Sequence, residues 1–244
     1  MAENIRLLDP RQVANFDVEY IDRSLFRLVR SVIDQNIHYP YHAHFLDVGG
    51  GNGLYADKLI AQYPGCCVDI VEPDSDMHAK NKPNKHKVLI NGVYQQFEGT
   101  QDYDMIQFNW VLHHFIAPSY AETHALQLQG LKTAYDMLGT EGIVIIFENF
   151  YEGKEHSNAP GKLIYRLTSS KLLKPLTSRL GANTAGVGVC FNSELHWREQ
   201  LIKAGFNSVF SAHCYYFGDL NPFKKWLLGI ENQRVGMLVG VKTR

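Results

Sequence analysis

The sequence has little net charge and few cysteines. Its 24 Lys and Arg residues nearly balance 25 Asp and Glu residues, which leaves a net charge of −1. That balance gives no indication of a nucleic acid or an anionic membrane as a partner. The four cysteines, Cys66, Cys67, Cys190 and Cys214, form no CxxC or Cys/His metal spacing, so we predict buried thiols in a reducing compartment and no metal site.

Long apolar runs are missing as well. No run approaches the ~18–20 residues that a membrane-spanning helix needs, and the first ten residues lack the apolar segment of a signal peptide. We therefore expect a cytoplasmic protein without a membrane partner. The 244 residues suffice for one large domain with a full core.

Short apolar runs alternate with helical patterns over the first 150 residues. A short apolar run indicates a buried strand, and apolar residues three or four apart indicate a helix. The alternation predicts a doubly wound α/β fold, with a mostly parallel sheet between two layers of helices. The predicted strands are 44–48, 67–73, 86–91, 103–109 and 142–149, and the predicted helices are 21–33, 53–62 and 120–138.

The alternation pauses after the fifth strand and then resumes. A helix capped by Asn192 or Ser193 and ended by Gly205 follows the pause. The last two strands are predicted at 207–216 and 234–242. We expect one domain over 1–244, with an N-terminal helical cap at 1–40 and a helical insertion or lid at 150–190, in which 162–173 is helical.

A glycine-rich turn joins the first predicted strand to the next helix, in the stretch FLDVGGGNGLYADKLI, 45–60. Glycine permits a tight turn and lets a ligand approach the backbone closely, as at nucleotide sites. Gly49 and Gly51 match the first two positions of the dinucleotide fingerprint GxGxxG, but Leu54 takes the third. No Lys followed by Ser or Thr accompanies the turn, so it is not a phosphate-binding P-loop either.

The spacing in DVGGGNG resembles the first motif of class I S-adenosylmethionine-dependent methyltransferases, which is an acid, x, Gly, x, Gly, x, Gly. The resemblance, to family members of the small-molecule type, implies S-adenosylmethionine as cofactor and a Rossmann-like sheet of seven strands with the last strand antiparallel. In that family the acid holds the ammonium group of the cofactor, and the glycine amides face its carboxylate. The matching residues here are Asp47, Gly49, Gly51 and Gly53.

An acid at the end of the second strand is the next feature that the resemblance implies. It lies about 20 residues after the glycines, where its carboxylate accepts hydrogen bonds from both ribose hydroxyls. Glu72 takes this position, and Pro73 beside it is expected to flank the adenine. Val93 stands where the family often has an Asp for the adenine amino group, so backbone carbonyls, Tyr94 and Gln95 remain alternatives for that contact.

The stretch YDMIQFNWVLHHF, 103–115, is similar to the fourth motif of the family. Asn109 and Trp110 leave the strand at its carboxyl end, where ligands collect in open α/β sheets, and they are expected to lie over the methionine end of the cofactor. His113 aligns with the general base of many small-molecule O-methyltransferases; packing alone is the alternative role. Glu148, at the end of the fifth strand, is a second acid–base candidate.

The substrate is expected beneath the N-terminal helices and the insertion. Aromatic faces attract a sulfonium group, which makes aromatic residues from these segments candidates to line the site, with packing in the core as the alternative for each. Asn149, next to the fifth strand's end, is a candidate to orient the acceptor. The aromatic candidates are Phe16, Tyr20, Tyr151 and Tyr165.

Methyl transfer to a small molecule by in-line displacement is the function that this pattern favours, with an oxygen or nitrogen acceptor. The main alternative is an S-adenosylmethionine-binding enzyme that does not methylate, such as one that cyclises the methionine chain and releases methylthioadenosine. A nicotinamide oxidoreductase and a non-catalytic cofactor-binding protein are further alternatives. His38, His42 and His44 have no carboxylate or Cys that accompanies them, which favours a loop over a metal site. The sequence does not indicate an oligomeric state.

Overall fold

Seven strands form one sheet in the computed structural model, which describes residues 20–99, 102–179, 181–218 and 220–243. The strands are β1 (His44–Val48), β2 (Cys67–Glu72), β3 (Lys87–Asn91), β4 (Tyr103–Asn109), β5 (Leu138–Glu152), β6 (Ser208–Tyr216) and β7 (Asn232–Val241). Their order across the sheet is β3-β2-β1-β4-β5-β7-β6.

Strands β1 to β5 pair in parallel, and β7 runs antiparallel to both of its neighbours, β5 and β6. The predicted class, a Rossmann-like and mostly parallel sheet with an antiparallel last strand, is confirmed. Because the first five strands share a direction, their carboxyl ends meet at one edge, where open α/β sheets bind ligands.

Helices cover both faces of the sheet. Leu25 of α1 and Leu59 of α2 belong to one buried apolar cluster, whereas Leu131 of α4 and Trp197 of α7 belong to the cluster on the other face. The helices are α1 (Arg23–Asn36), α2 (Leu54–Gln62), α3 (Ser75–Ala79), α4 (Tyr120–Met137), α5 (Ala159–Ser169), α6 (Lys174–Arg179), α7 (Glu194–Ala204) and α8 (Pro222–Leu228).

Side chains that satisfy backbone N–H groups mark where several helices begin. Ser119 and Glu122 form a reciprocal capping box at the start of α4. Of the two residues that the sequence offers for the start of α7, Ser193 is the cap, since its hydroxyl accepts from the N–H of His196. Gly205 ends α7 in the left-handed region, at a φ of 118°.

Several elements differ from the sequence-based prediction, among them the short helix α3, which was not predicted. Strand β5 extends beyond 142–149, because β7 pairs with it as far as Glu152. The predicted helix 162–173 corresponds to α5, which begins at Ala159 and ends at Ser169, and α6 begins only after the predicted range. Helix α8 was not predicted, although its apolar residues Phe223, Trp226 and Leu227 recur at helical spacing; all three are exposed.

The predicted N-terminal cap is only partly covered by the described residues. Helix α1 lies within the predicted cap 1–40, and the rest of that prediction, including Phe16, falls on 1–19, outside the described residues. Among the helices of the described ranges, none combines the length and the apolar composition that a bilayer-spanning helix requires.

Candidate active site

A cavity of about 530 Å³ lies at the carboxyl ends of β1, β2 and β4. This is the edge of the sheet where the glycine turn, the end of the second strand and the 109–115 segment come together. The predicted site residues that line it are Tyr20, Asp47, Gly49, Gly51, Glu72, Pro73, Asn109, Trp110, His113 and Asn149.

The glycine turn owes its shape to positive φ angles. Gly49 has a φ of 67°, and a Cβ there would lie 2.6 Å from Cγ2 of Val111, so the turn packs directly against the segment that follows β4. Gly51 has a φ of 53° and has no atom within 4 Å of the position that a Cβ would take. Since Gly51 also lines the cavity, its bare backbone allows a ligand to approach closely.

Glu72 connects the end of β2 to the glycine turn. Its Oε2 accepts from the N–H of Gly51 at 3.0 Å, and its Oε1 accepts from the N–H of Asp74 at 2.8 Å. The side chain is buried. Burial raises the pKa of the Glu72 carboxyl, and the two N–H donors oppose that rise.

Asp47 is also buried, at the end of β1. A Cβ on Gly50 would lie 2.5 Å from its Oδ2, so the carboxylate lies directly beneath the glycine turn. The cavity is therefore lined by acidic side chains from the ends of two neighbouring strands, Asp47 and Glu72, and by Asp74, which follows β2.

The segment after β3 carries the candidates for the adenine contact. Tyr94 and Gln95 both line the cavity. The hydroxyl of Tyr94 donates to the carbonyl of Gly130 at 3.2 Å and keeps lone pairs that can accept. Because the adenine amino group is a donor, Tyr94, Gln95 and the backbone carbonyls all stay candidates for the contact.

Trp110 stands at the turn after β4 with a positive φ of 56°. Its indole N–H donates to Oδ1 of Asn149 at 3.0 Å, and its ring stacks on Phe147 with 5.6 Å between centroids. Tyr20 lies against the indole, at a centroid distance of 5.7 Å. Asn109 is held in turn by Nε2 of Gln107, which donates to its Oδ1 at 2.7 Å.

His113 forms a buried pair with Glu148. Its Nδ1 lies 2.6 Å from Oε2 of Glu148, and its backbone N–H donates to Oε1 of the same carboxylate at 3.2 Å. Glu148 is fully buried. Because an ionised carboxylate only accepts, Nδ1 is the donor in this contact, and Nε2 is the ring nitrogen that stays available to an acceptor substrate.

His114 also lines the cavity and stays uncharged. Its ring centroid lies 4.2 Å from that of His113. Burial, and then the neighbouring His113, hold the pKa of His114 well below 6.5. The imidazole wall of the cavity therefore gains no charge from His114 near neutral pH.

Four predicted site residues do not line the cavity, among them two assigned to the substrate. Tyr165 is buried, and its hydroxyl donates to the carbonyl of Ala117 at 2.9 Å. Tyr151 stacks on Phe191 with 4.5 Å between centroids. Gly53 lies against Asn81, and Glu148 reaches the cavity only through His113.

Some cavity residues were missed by the sequence analysis. Tyr215 and Phe217 line the cavity from the end of β6 and the segment after it. Only the pairing of β6 with β7 brings them there, and no local pattern signals a pairing at that sequence separation. Tyr55 was also missed, although its place in the first turn of α2, next to the glycines, was a usable signal.

In the described part of the chain, no group of three or more His, Cys, Asp or Glu side chains is arranged to hold a metal ion. His44, from the histidine cluster noted in the sequence, begins β1, and its Nε2 lies 3.0 Å from Oδ2 of Asp69.

Comparisons with known proteins agree with this geometry. The family model described as a methyltransferase domain matches residues 19–218. A search of curated proteins finds no match. The solved structures described next are 12–14% identical to this chain, and at that level a likeness shows a shared fold alone.

Three solved structures illustrate the likeness. A Galdieria sulphuraria protein proposed to be a sarcosine dimethylglycine methyltransferase is 14% identical, with a TM-score of 0.59, and the match covers 98% of this chain and 93% of that one. Human N-acetylserotonin methyltransferase, in complex with S-adenosylmethionine, is 14% identical with a TM-score of 0.54. Haemonchus contortus phosphoethanolamine N-methyltransferase 2, in complex with phosphomonomethylethanolamine and S-adenosylhomocysteine, is 12% identical with a TM-score of 0.61.

The chain is shorter than some of these proteins. The match covers 96% of this chain and 62% of the human protein. For the Haemonchus protein the shares are 95% and 56%. The chain thus spans between half and two thirds of the length of these two structures.

Proposed function

Since this chain belongs to the class I S-adenosylmethionine-dependent methyltransferase family, we propose that it transfers a methyl group from S-adenosylmethionine to a hydroxyl oxygen of a small molecule. The observation that carries the proposal is the 2.6 Å contact between Nδ1 of His113 and Glu148 in the wall of the cavity. A hydroxyl acceptor needs a base, whereas an unprotonated amine does not, and an imidazole oriented by a carboxylate is such a base.

The residues of the cavity fit the cofactor. Gly51 leaves open space where a side chain would lie, and Glu72 is a buried carboxylate beside it. We assign the ribose hydroxyls to Glu72 and the ammonium group to Asp47, with Gly49 and Gly51 beside the amino-carboxylate. When bound, the cofactor supplies a methyl carbon that its sulfonium activates toward in-line displacement.

Residues of the chain perform the proton transfer and orient the reacting groups. His113 takes the hydroxyl proton on Nε2, and Glu148 stabilises the imidazolium that results. Trp110 and Tyr20 present aromatic faces, which favour a sulfonium by about 0.5–2 kcal/mol. Trp110 and Asn149 bond to each other, so the acceptor meets a wall whose side chains are already oriented.

His113→Gln tests the assignment of the base. We expect kcat to fall about 10²- to 10⁴-fold, while the affinity for S-adenosylhomocysteine, measured by isothermal titration calorimetry, stays unchanged. A panel of phenols and alcohols, read by mass spectrometry for addition of one methyl group, supplies the acceptor. His38→Gln, at an exposed position, is the control and should leave both quantities unchanged.

Each other outcome has a separate meaning. A near-normal kcat in His113→Gln would assign His113 to packing and refute the role of base. Absence of S-adenosylhomocysteine binding to the wild-type protein would refute the cofactor site. Release of methylthioadenosine without any acceptor would replace methyl transfer by cyclisation of the methionine chain.

A further inference from the structure

A buried glutamine on α4 holds the backbone on both sides of His113. Gln127 is fully buried. Its Nε2 donates to the carbonyl of Leu112 at 3.1 Å and to the carbonyl of Cys190 at 3.3 Å. Its Oε1 accepts from Nδ2 of Asn192 at 3.1 Å. These three partners determine the orientation of the amide, because the reverse orientation would place its oxygen against two carbonyl oxygens.

The two carbonyls that Gln127 binds belong to the two segments that enclose His113. Leu112 precedes His113 in a single turn of 3₁₀ helix. Cys190 donates its N–H to the carbonyl of His113 at 3.0 Å, and the ring of Phe191 lies 4.8 Å from the imidazole. Gln127 therefore ties the turn that carries His113 to the irregular segment 190–191 that covers it.

The amide network extends from Gln127 into the insertion. Asn192 is fully buried, and its Oδ1 accepts from Nε2 of His124 at 3.1 Å and from Nδ2 of Asn158 at 3.2 Å. The network thus joins α4, the start of α5 and the segment before α7. Buried polar networks of this kind, with their donors and acceptors matched, give a core a unique geometry.

We propose that Gln127 is a positioning residue for His113, an inference that rests on the base role proposed above. Glu148 orients the imidazole ring through its contact with Nδ1. Gln127 fixes the backbone of the turn that carries the ring, through the carbonyl of Leu112. A 3₁₀ turn of three residues has little internal hydrogen bonding to hold its own geometry. Displacement of a catalytic group by about 1 Å costs on the order of 10²-fold in rate, so the contacts of Gln127 matter for kcat although it does not line the cavity.

Gln127→Leu tests the proposal, because it removes the hydrogen bonds and nearly keeps the volume. We expect kcat to fall about 10- to 100-fold, with the KM of the acceptor and the affinity for S-adenosylhomocysteine within about two-fold of wild type. Gln200→Leu is the matched control: Gln200 is also buried, in α7, and its amide contacts His196 rather than the turn. Its kcat should stay at the wild-type value.

A double-mutant cycle separates positioning from general structural damage. In the His113→Gln background, Gln127→Leu should cause no further loss of kcat, because the base that it positions is gone. An equal loss in both backgrounds would overturn the positioning role and leave the proposed function intact. A normal kcat in His113→Gln alone would refute the base, and with it the premise of this inference.

Gln127→Met keeps the test available if Gln127→Leu does not fold. It keeps an unbranched side chain of similar length, and it removes both the donor to Leu112 and Cys190 and the acceptor for Asn192. The same loss of kcat at constant KM is expected. Wild-type kcat in either folded variant would overturn the proposal.

Discussion

At the scale of single residues, Glu72 is held in the cavity wall by two backbone hydrogen bonds. Each of its carboxylate oxygens already accepts one backbone N–H, from Gly51 or from Asp74. An ionised carboxylate has about four acceptor positions, so two remain for the hydroxyls of a ribose. The same two backbone bonds orient the group before any ligand arrives, which lowers the entropic cost of binding.

Glu72→Gln should weaken binding of S-adenosylhomocysteine about 10- to 100-fold, since hydrogen bonds to a charged group contribute about 1.5–3 kcal/mol. The variant keeps the shape of the side chain and loses the charge and one acceptor. Isothermal titration calorimetry measures the change. Asp76→Asn, at an exposed position on α3 nearby, is the control, and unchanged affinity in Glu72→Gln would contradict the ribose assignment.

The pH dependence of binding follows from the same residue. Burial raises the pKa of Glu72 above its ordinary value of 4.5, while ribose hydroxyls donate to the ionised form. As the pH falls through the raised pKa, more of the free protein is protonated at Glu72, so the affinity falls. The decline should begin at a higher pH than an ordinary glutamate would give, and it should be missing in Glu72→Gln.

At the scale of elements, β5 explains how neighbouring residues serve different parts of the site. Successive side chains of a strand point to opposite faces. Asn149 lies in the cavity, on the side of Trp110, whereas Glu148 lies on the other face and reaches His113 from behind. Alternation in the sequence predicts that the two diverge. It does not predict which of them meets His113, because that depends on the register between β4 and β5.

Much of the fold could be predicted from the sequence because short local patterns of residues specify its strands, turns and helices. The glycines after β1, the acid at the end of β2 and the polar residues after β4 each follow a short strand, and parallel strands bring their ends together. The surroundings of Tyr151 and Tyr165 could not be predicted for the opposite reason. Tyr151 stacks on Phe191, and the hydroxyl of Tyr165 donates to the carbonyl of Ala117, contacts between residues that are far apart in the sequence.

Helix α5 packs against the backbone next to His113, and Gly161 makes this contact possible. A Cβ at Gly161 would lie 1.9 Å from the carbonyl oxygen of Phe191. Gly161→Ala should therefore displace either α5 or the Phe191 segment and lower the free energy of unfolding by about 1–3 kcal/mol. That loss outweighs the gain of up to about 1 kcal/mol in helix propensity.

Urea denaturation checks the Gly161 prediction. Gly92→Ala is the control, because a Cβ at Gly92 would meet nothing within 4 Å and its φ lies outside the left-handed region. Equal stability of the two variants would show that the segment can yield without cost. Since Phe191 contacts the imidazole of His113, a fall in kcat should accompany the loss of stability in Gly161→Ala.

At the scale of the whole molecule, a pair of half-buried histidines lies where the two large helices of one layer meet. His124 of α4 and His196 of α7 have ring centroids 4.3 Å apart. Burial, then the charges of His124 and Lys203, lower the pKa of His196 from 6.5 to about 3. Burial also lowers the pKa of His124, although its bond to Asn192 opposes the shift. The folded protein therefore holds both rings uncharged near neutral pH.

This pair makes the protein sensitive to acid. The unfolded chain binds a proton at His196 near pH 6.5, and the folded chain does so only near pH 3. The free energy of unfolding should therefore fall as the pH drops between these values, by up to about 1.4 kcal/mol per pH unit for one histidine. His196→Gln should reduce that slope, measured by urea denaturation at pH ~7.5 and pH ~5. His38→Gln, at an exposed position, should keep the wild-type slope, and an unchanged slope in His196→Gln would show that other groups drive acid unfolding.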